Sequence, residues 1–225
     1  MGSTPRPCPF LPKGHDITTI DGDGDLLLKV GTTKCSAKLH SPDFDQCDHL
    51  HDVAQTFRVC SRAMARASPV WKRMLFGGFA ESKPPKEGGD WTVTLPDDSP
   101  EPMLTVLGMV HARFDLIPQF KYGLYLHDVY DITIVTDKYD TTHLVRPWAL
   151  AWLDTARRDM RNDFQSHLKL LWVSWVLGSQ KLFVEAGGLL ARYMRSGYSF
   201  KSDLIPPGVT ERDTNCILTL ASRND

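Results

Sequence analysis

The sequence predicts an α+β protein with a small β-sheet of about three strands, several helices and an antiparallel helix hairpin towards its C-terminal end. Two observations predict this fold class. Three short runs are either continuously apolar or alternate polar with apolar residues, which is typical of strands. Other segments repeat apolar residues every three to four positions, which is typical of amphipathic helices.

The first two strands are predicted at Leu26–Val30 and Thr56–Val59. Residues 1–22 precede them and are rich in proline, glycine and polar residues, which predicts a disordered N-terminal tail. A polar insert at 31–55 separates the two strands. It is longer than a hairpin needs, which favours a mobile or functional loop.

A pair of short helices is predicted directly after the second strand. Ser61 can cap the first helix, and Ser68-Pro69 can end it and open the second, because proline suits the first helical position. The second helix places Val70, Met74 and Leu75 on one face. Gly77-Gly78 ends it, and Phe79 beyond can pack back or remain exposed to a partner.

The third strand is predicted at Trp91–Leu95, where threonines alternate with apolar residues. Asp98 or Ser99 can cap the following helix, with Pro100 in its first turn. Its apolar stripe consists of Met103, Leu104, Leu107 and Val110.

A helical hairpin is predicted at 156–197, followed by an irregular tail at 198–225. The stripe of its first helix is Phe164, Leu168, Leu171, Trp172 and Trp175. Gly178 ends that helix and Ser179 can cap the next. The stripe of its second helix is Leu182, Phe183, Ala186, Leu189, Leu190 and Tyr193. A turn this short predicts an antiparallel pair.

Five pieces of the chain, in order, carry a family resemblance. They are GDLLLKVG at 24–31, TFRVCSRAMARASPVWKRML at 56–75, GGFAES at 77–82, WTVTLPDDSPEPMLTVL at 91–107 and LYLHDVYDITIVTDKYDTTHLV at 124–145. With them, residues 23–155 resemble the BTB/POZ domain of short fungal proteins. The resemblance implies a small sheet capping a helix cluster. It also implies a helix from Tyr125 to Tyr139, where the residues alone fit a strand or a helix.

The resemblance implies a non-enzymatic protein–protein interaction module, acting by self-association or by docking a partner. It also implies a role as substrate adaptor of a cullin-type ubiquitin ligase, with the helix hairpin extending the cullin contact. TVLGMVHARF, directly after Leu104, has no carboxylate that would mark a cullin site. The candidate partner-binding residues are Trp71, Phe76, Phe79, Met103 and Leu107. A BTB-type factor associated with transcription is an alternative.

Two patterns suggest metal binding. Cys35, His40, Cys47, His49 and His51 lie in the polar insert, and thiolates and imidazoles are zinc ligands, so a zinc-binding regulatory module is an alternative function. Their spacing matches no CxxC-type site. DGDGD at 21–25 begins like a calcium loop, but Leu26 and Thr32 stand where such a loop needs glycine and glutamate. A polar turn is the better interpretation.

The remaining features exclude several function classes. No nucleophile elbow, phosphate-binding loop or HExxH motif is present, so we expect neither an enzyme nor a cofactor. The 26 basic and 27 acidic residues balance, which disfavours direct nucleic-acid binding. No apolar run reaches membrane-spanning length. Five irregularly spaced cysteines fit a reducing compartment, cytoplasm or nucleus. The basic group of Arg157, Arg158 and Arg161 is typical of a solvated face.

Overall fold

The computed structural model describes residues 17–32, 54–82, 89–118 and 124–195. Within these ranges the chain is α+β, with a small mixed sheet of four strands and seven α-helices. It divides into two compact units, one with the described residues up to Arg66 together with Val70–Arg113, the other with Ala67–Pro69 and the described residues from Phe114 onwards. The domain border predicted between residues 155 and 156 falls inside the second unit, and the predicted domain assignment stays a prediction.

The sheet belongs to the first unit and has the order β1-β3-β2-β4. The strands are β1 at Ile17–Thr19, β2 at Leu26–Val30, β3 at Gln55–Val59 and β4 at Trp91–Leu95. Strand β2 runs antiparallel to β3 and parallel to β4, and β1 runs parallel to β3. The three predicted strands are confirmed. The predicted disorder of residues 1–22 is wrong for Ile17–Thr19, because their backbone pairs with β3.

Position in the sheet explains the residue pattern of each strand. Strand β2 lies between β3 and β4, and four of its five residues are buried, which explains its continuous apolar run. Strand β4 lies at an edge and buries Val93 and Leu95 while Thr92 and Thr94 are exposed. Burying an aliphatic side chain of this kind contributes about 1.5–3 kcal/mol. The alternation of apolar and polar residues that predicted β4 therefore indicates a strand with one buried face.

Three helices lie wholly or mostly within the residues of the first unit. They are α1 at Ser61–Ala67, α2 at Pro69–Phe76 and α3 at Pro100–Val110. The predicted break at Ser68-Pro69 is confirmed, and α2 ends directly before Gly77-Gly78, as predicted. Of the two predicted caps of α3, Ser99 occupies the N-cap position, but its side chain makes no capping hydrogen bond.

The second unit contains four longer helices. They are α4 at Leu126–Lys138, α5 at Arg146–Asp159, α6 at Phe164–Val176 and α7 at Gln180–Arg195. Helix α5 is one that the sequence analysis did not identify. Helices α6 and α7 pack against each other across a turn of three residues, so they run antiparallel and form the predicted hairpin. Its buried residues include Leu168, Leu171, Trp172, Ala186 and Leu190.

Helix α4 decides the conflict between strand and helix at residues 129–136 in favour of the helix. Val129, Ile132 and Val135 are buried on one side of it. Two backbone N–H groups at its start donate to carboxylates: Tyr125 N–H to Asp128 at 2.7 Å, and Leu126 N–H to Asp159 at 2.8 Å. Packing and capping together outweigh the strand preference of the β-branched residues.

The side chain of Asp163 caps the start of helix α6. Its carboxylate accepts hydrogen bonds from the backbone N–H and the hydroxyl of Ser166, both at 2.9 Å. The Ser166 backbone and hydroxyl bonds hold the pKa of Asp163 below its usual range, although slight burial opposes them.

We expect Asp163→Ala to lower the free energy of unfolding by about 1 kcal/mol at neutral pH, as for other helix caps. Because the folded-state pKa of Asp163 is lowered, its stabilisation is present above the unfolded-state pKa and is lost as the pH falls through the folded-state value. Urea unfolding at pH 7 and pH 3 measures both effects. An equal difference between wild type and variant at the two pH values would contradict the charged cap.

Candidate interaction surface

Helix α2 has one face in the core and one face in solvent. Trp71 and Leu75, four residues apart, are buried with 0% and 1% exposure. Lys72, Arg73 and Phe76 are exposed. Residues three and four positions apart are neighbours on a helix, so both cations lie beside Phe76 on its outer face.

The turn after α2 positions a second exposed aromatic side chain. Gly78 has a φ of +86°, a left-handed conformation that only glycine adopts without strain. Ser82 fixes this turn, since its hydroxyl donates to Met74 O at 2.7 Å and accepts from Gly78 N–H at 3.1 Å. The Phe79 ring lies close to Gly77. Phe76 and Phe79 are 47% and 53% exposed, so the turn holds two large apolar side chains in solvent.

Two further side chains contact Phe76 from the first unit. The Arg62 guanidinium lies 5.9 Å from the Phe76 ring centroid. The Trp91 ring meets Phe76 edge-on, with centroids 6.0 Å apart and an interplanar angle of 84°. The Trp91 indole N–H donates to Glu81 O at 2.7 Å. We call Arg62, Lys72, Arg73, Phe76 and Phe79 the basic aromatic patch.

The start of α1, next to Arg62, is held by Asp25. The Asp25 carboxylate accepts from Ser61 N–H at 2.8 Å and from Ser61 Oγ at 2.7 Å. The predicted role of Ser61 as a cap is therefore wrong: Ser61 is the first helical residue, and Asp25 caps it from 36 positions away. Gly24 permits this approach, because a Cβ there would lie 2.8 Å from Val59 O.

The environment of Asp25 favours its charged form. Burial raises the pKa of the Asp25 carboxyl. The hydrogen bonds from the backbone and hydroxyl of Ser61 and the nearby charge of Arg62 lower the pKa by more, so the net shift is downward. Asp25 is therefore a charged structural group.

The structure divides the five predicted partner-binding residues into two groups. Trp71, Met103 and Leu107 have 0% exposure, so the prediction is wrong for them: their side chains fill the core and no surface of theirs can reach a partner. Phe76 and Phe79 are about half exposed and stay candidates. No contact role was predicted for Arg62 or Trp91, because their approach to Phe76 depends on contacts between distant parts of the chain.

The predicted metal ligands receive no structural test. Cys35, His40, Cys47, His49 and His51 lie outside the described residues. Within residues 17–32, 54–82, 89–118 and 124–195, no group of three or more histidine, cysteine or acidic side chains is placed to hold a metal ion. In DGDGD, Asp25 binds Ser61 and the Asp21 carboxylate accepts from Asp23 N–H at 3.0 Å. This segment is a hydrogen-bonded turn, as predicted.

A cleft of about 520 Å³ lies in the second unit, near the starts of α4 and α6. Its lining includes Tyr125, Asp159, Arg161, Asp163 and Lys169. The helix N-termini there already receive carboxylates of the protein itself, as described for α4 and α6. Carboxylates of the protein therefore already occupy part of the hydrogen-bonding capacity of both helix starts.

Two arginines of the predicted basic group are paired with acids of the second unit. Arg157 lies 3.3 Å from Glu185, and Arg158 lies 2.9 Å from Asp154. Both pairs are exposed and each contributes less than about 1 kcal/mol. Pairing lowers the positive charge that this group can offer to a partner.

Comparison with known proteins assigns no family. No protein-family model matches the chain, and no curated protein matches it either. In the part of the chain that the structure describes, no helix combines the length and apolar character needed to cross a membrane. Any functional assignment therefore depends on the residues described above.

Proposed function

We propose that this protein is a non-enzymatic interaction module of BTB/POZ type, which acts by self-association, by docking a partner protein, or by both. The observation that carries the proposal is the exposure of Phe76 and Phe79 at the end of α2. Large exposed aromatic side chains are enriched at protein interfaces, because each buries a large area at little entropic cost.

The order of elements supports the BTB/POZ type. Strands β2, β3 and β4 coincide with the sequence pieces that carry the resemblance, and they form one sheet. The α6–α7 hairpin follows the BTB-like region along the chain, at the position where the resemblance implies an extended cullin contact. A role as adaptor in a ubiquitin ligase complex is the more specific form of the proposal. A shared fold does not fix a function, so the interaction itself requires a test.

We expect the double substitution Phe76→Ser and Phe79→Ser to abolish self-association or partner capture while the protein remains folded. Loss of two interface aromatics costs about 2 kcal/mol or more for each central residue, which weakens binding at least tenfold. Light scattering coupled to gel filtration measures self-association. Affinity purification with mass spectrometry measures partner capture, including that of cullins.

Leu150→Ser is the matched control, because Leu150 is 85% exposed and lies in the other unit. It removes exposed apolar surface of similar character and leaves the sequence of α2 unchanged. A monomeric wild-type protein that captures no partner would contradict the proposed function. Equal loss with Leu150→Ser would show that the effect is not specific to the patch.

A further inference from the structure

The charge around Phe76 and Phe79 has one dominant sign. Residues 61–82 contain four cations, Arg62, Arg66, Lys72 and Arg73, and a single acid, Glu81. All four cations are exposed. The charge of Arg62 acts on the nearby Asp25 carboxylate, whereas Arg66, Lys72 and Arg73 have no salt bridge to another described residue; Arg157 and Arg158 of the second unit do have one. The protein as a whole has a net charge of −1, so the positive charge is local to this surface.

We infer that the basic aromatic patch binds an acidic segment of a partner protein, with an apolar side chain of that segment on the exposed phenylalanines. This inference rests on the proposed function and names its partner chemistry. Two half-exposed rings provide the apolar contact. The exposed cations beside them provide electrostatic complementarity, which selects the partner and speeds its association.

Geometry supports simultaneous use of both contacts. The guanidinium of Arg62 contacts the Phe76 ring, an arrangement that favours a cation at the ring face. A guanidinium has five N–H donors in its plane, and these can bind a carboxylate side-on while the ring contact persists. Lys72 and Arg73 both lie one turn before Phe76 on the helix. A carboxylate near an aromatic or aliphatic anchor can therefore meet a cation next to Phe76.

Two other classes of anionic partner, single-stranded nucleic acid and anionic membranes, match the basic aromatic patch less well. Single-stranded nucleic acid also combines stacking with basic residues, but its binding uses extended basic grooves. Anionic membranes attract clusters of about four to eight cations, whereas the basic aromatic patch contains three, Arg62, Lys72 and Arg73. This patch has Glu81 in the adjoining 3-10 turn and lies on a protein of balanced charge. These partners are therefore outcomes that the experiment separates from a protein segment.

The test is a selection of random 12-residue peptides displayed on phage against the full-length protein, with counter-selection on Phe76→Ser/Phe79→Ser. We expect enriched peptides to place aspartate or glutamate beside a leucine or an aromatic residue. Fluorescence anisotropy then measures binding of the most enriched peptide. We expect Lys72→Glu/Arg73→Glu to weaken its binding at least tenfold. The matched control Arg157→Glu/Arg158→Glu should change its binding less than twofold. Binding should also weaken several-fold between 50 and 300 mM salt.

Enrichment of neutral or basic peptides, or no enrichment over the counter-selection, overturns the inference. So does binding that ignores the charge reversal at Lys72 and Arg73. Oligothymidylate and phosphatidylserine vesicles are tested in the same way. If either binds more tightly than the peptide and is equally sensitive to this charge reversal, the inference is overturned in favour of that ligand class. If the acidic peptide fails to bind while Phe76→Ser/Phe79→Ser still abolishes self-association or partner capture, the result refutes only the partner chemistry and leaves the proposed function standing.

Discussion

Replacing Trp71 by alanine is expected to lower the free energy of unfolding by about 3–5 kcal/mol, the usual cost of truncating a buried tryptophan. Trp71 is one of the largest fully buried side chains, with 0% exposure. Its removal loses apolar burial and leaves a cavity that the surrounding core only partly fills. Urea unfolding, followed by circular dichroism and by fluorescence, measures the change.

Phe76→Ala is the matched control, because it truncates an aromatic side chain on the opposite, exposed face of the same helix. We expect it to cost about 1 kcal/mol or less, mainly from its contacts with Trp91 and Arg62. Similar costs for both variants would contradict the two-faced description of α2. A large loss for Trp71→Ala alone would confirm that Trp71 is a core residue and not a contact residue.

Local pattern predicted most elements of the fold. The alternation in Trp91–Leu95, the break at Ser68-Pro69 and the glycines at 77, 78 and 178 all mark elements or their ends in the structure. Periodicity groups residues by face, but it does not say how deeply each face is buried. Periodicity places Trp71 and Phe76 on different faces of one short helix, but the full burial of Trp71 and the half exposure of Phe76 required the structure.

Non-local contacts explain what the sequence could not predict. Strand β1 has three exposed residues and no apolar alternation, and it forms because β3 offers a free edge. Leu126 N–H at the start of α4 finds its acceptor on Asp159, 33 positions away. Likewise the glycine pair after α2 left open whether Phe79 packs back or stays exposed, and the approach of Arg62 and Trp91 to Phe76 required the folded chain.

The second large effect is expected at Asp25. Asp25→Ala removes the acceptor of two hydrogen bonds from Ser61, which is only 1% exposed. A buried donor left without an acceptor costs about 1–3 kcal/mol, and loss of a helix cap costs about 1 kcal/mol. We expect the free energy of unfolding to fall by about 2–3 kcal/mol at neutral pH. Urea unfolding at pH 7 measures this change.

Two matched variants separate the contributions of this contact. Ser61→Ala removes only the hydroxyl bond, so we expect a loss of about 1 kcal/mol. Asp25→Asn retains an oxygen acceptor for Ser61 N–H but lacks the charge, so its cost should be intermediate. A cost for Ser61→Ala equal to that of Asp25→Ala would contradict the capping role of the carboxylate at the backbone N–H.

The pH dependence provides an independent test of the Asp25 contact. The folded-state pKa of Asp25 lies below its ordinary value of 3.8, so the charged carboxyl stabilises the folded protein above that value. This stabilisation is lost as the pH falls through the folded-state pKa. The difference between wild type and Asp25→Ala should therefore be constant from pH 8 to pH 5 and shrink below about pH 4. A difference that grows as the pH falls would show that Asp25 does not bind Ser61 as a carboxylate.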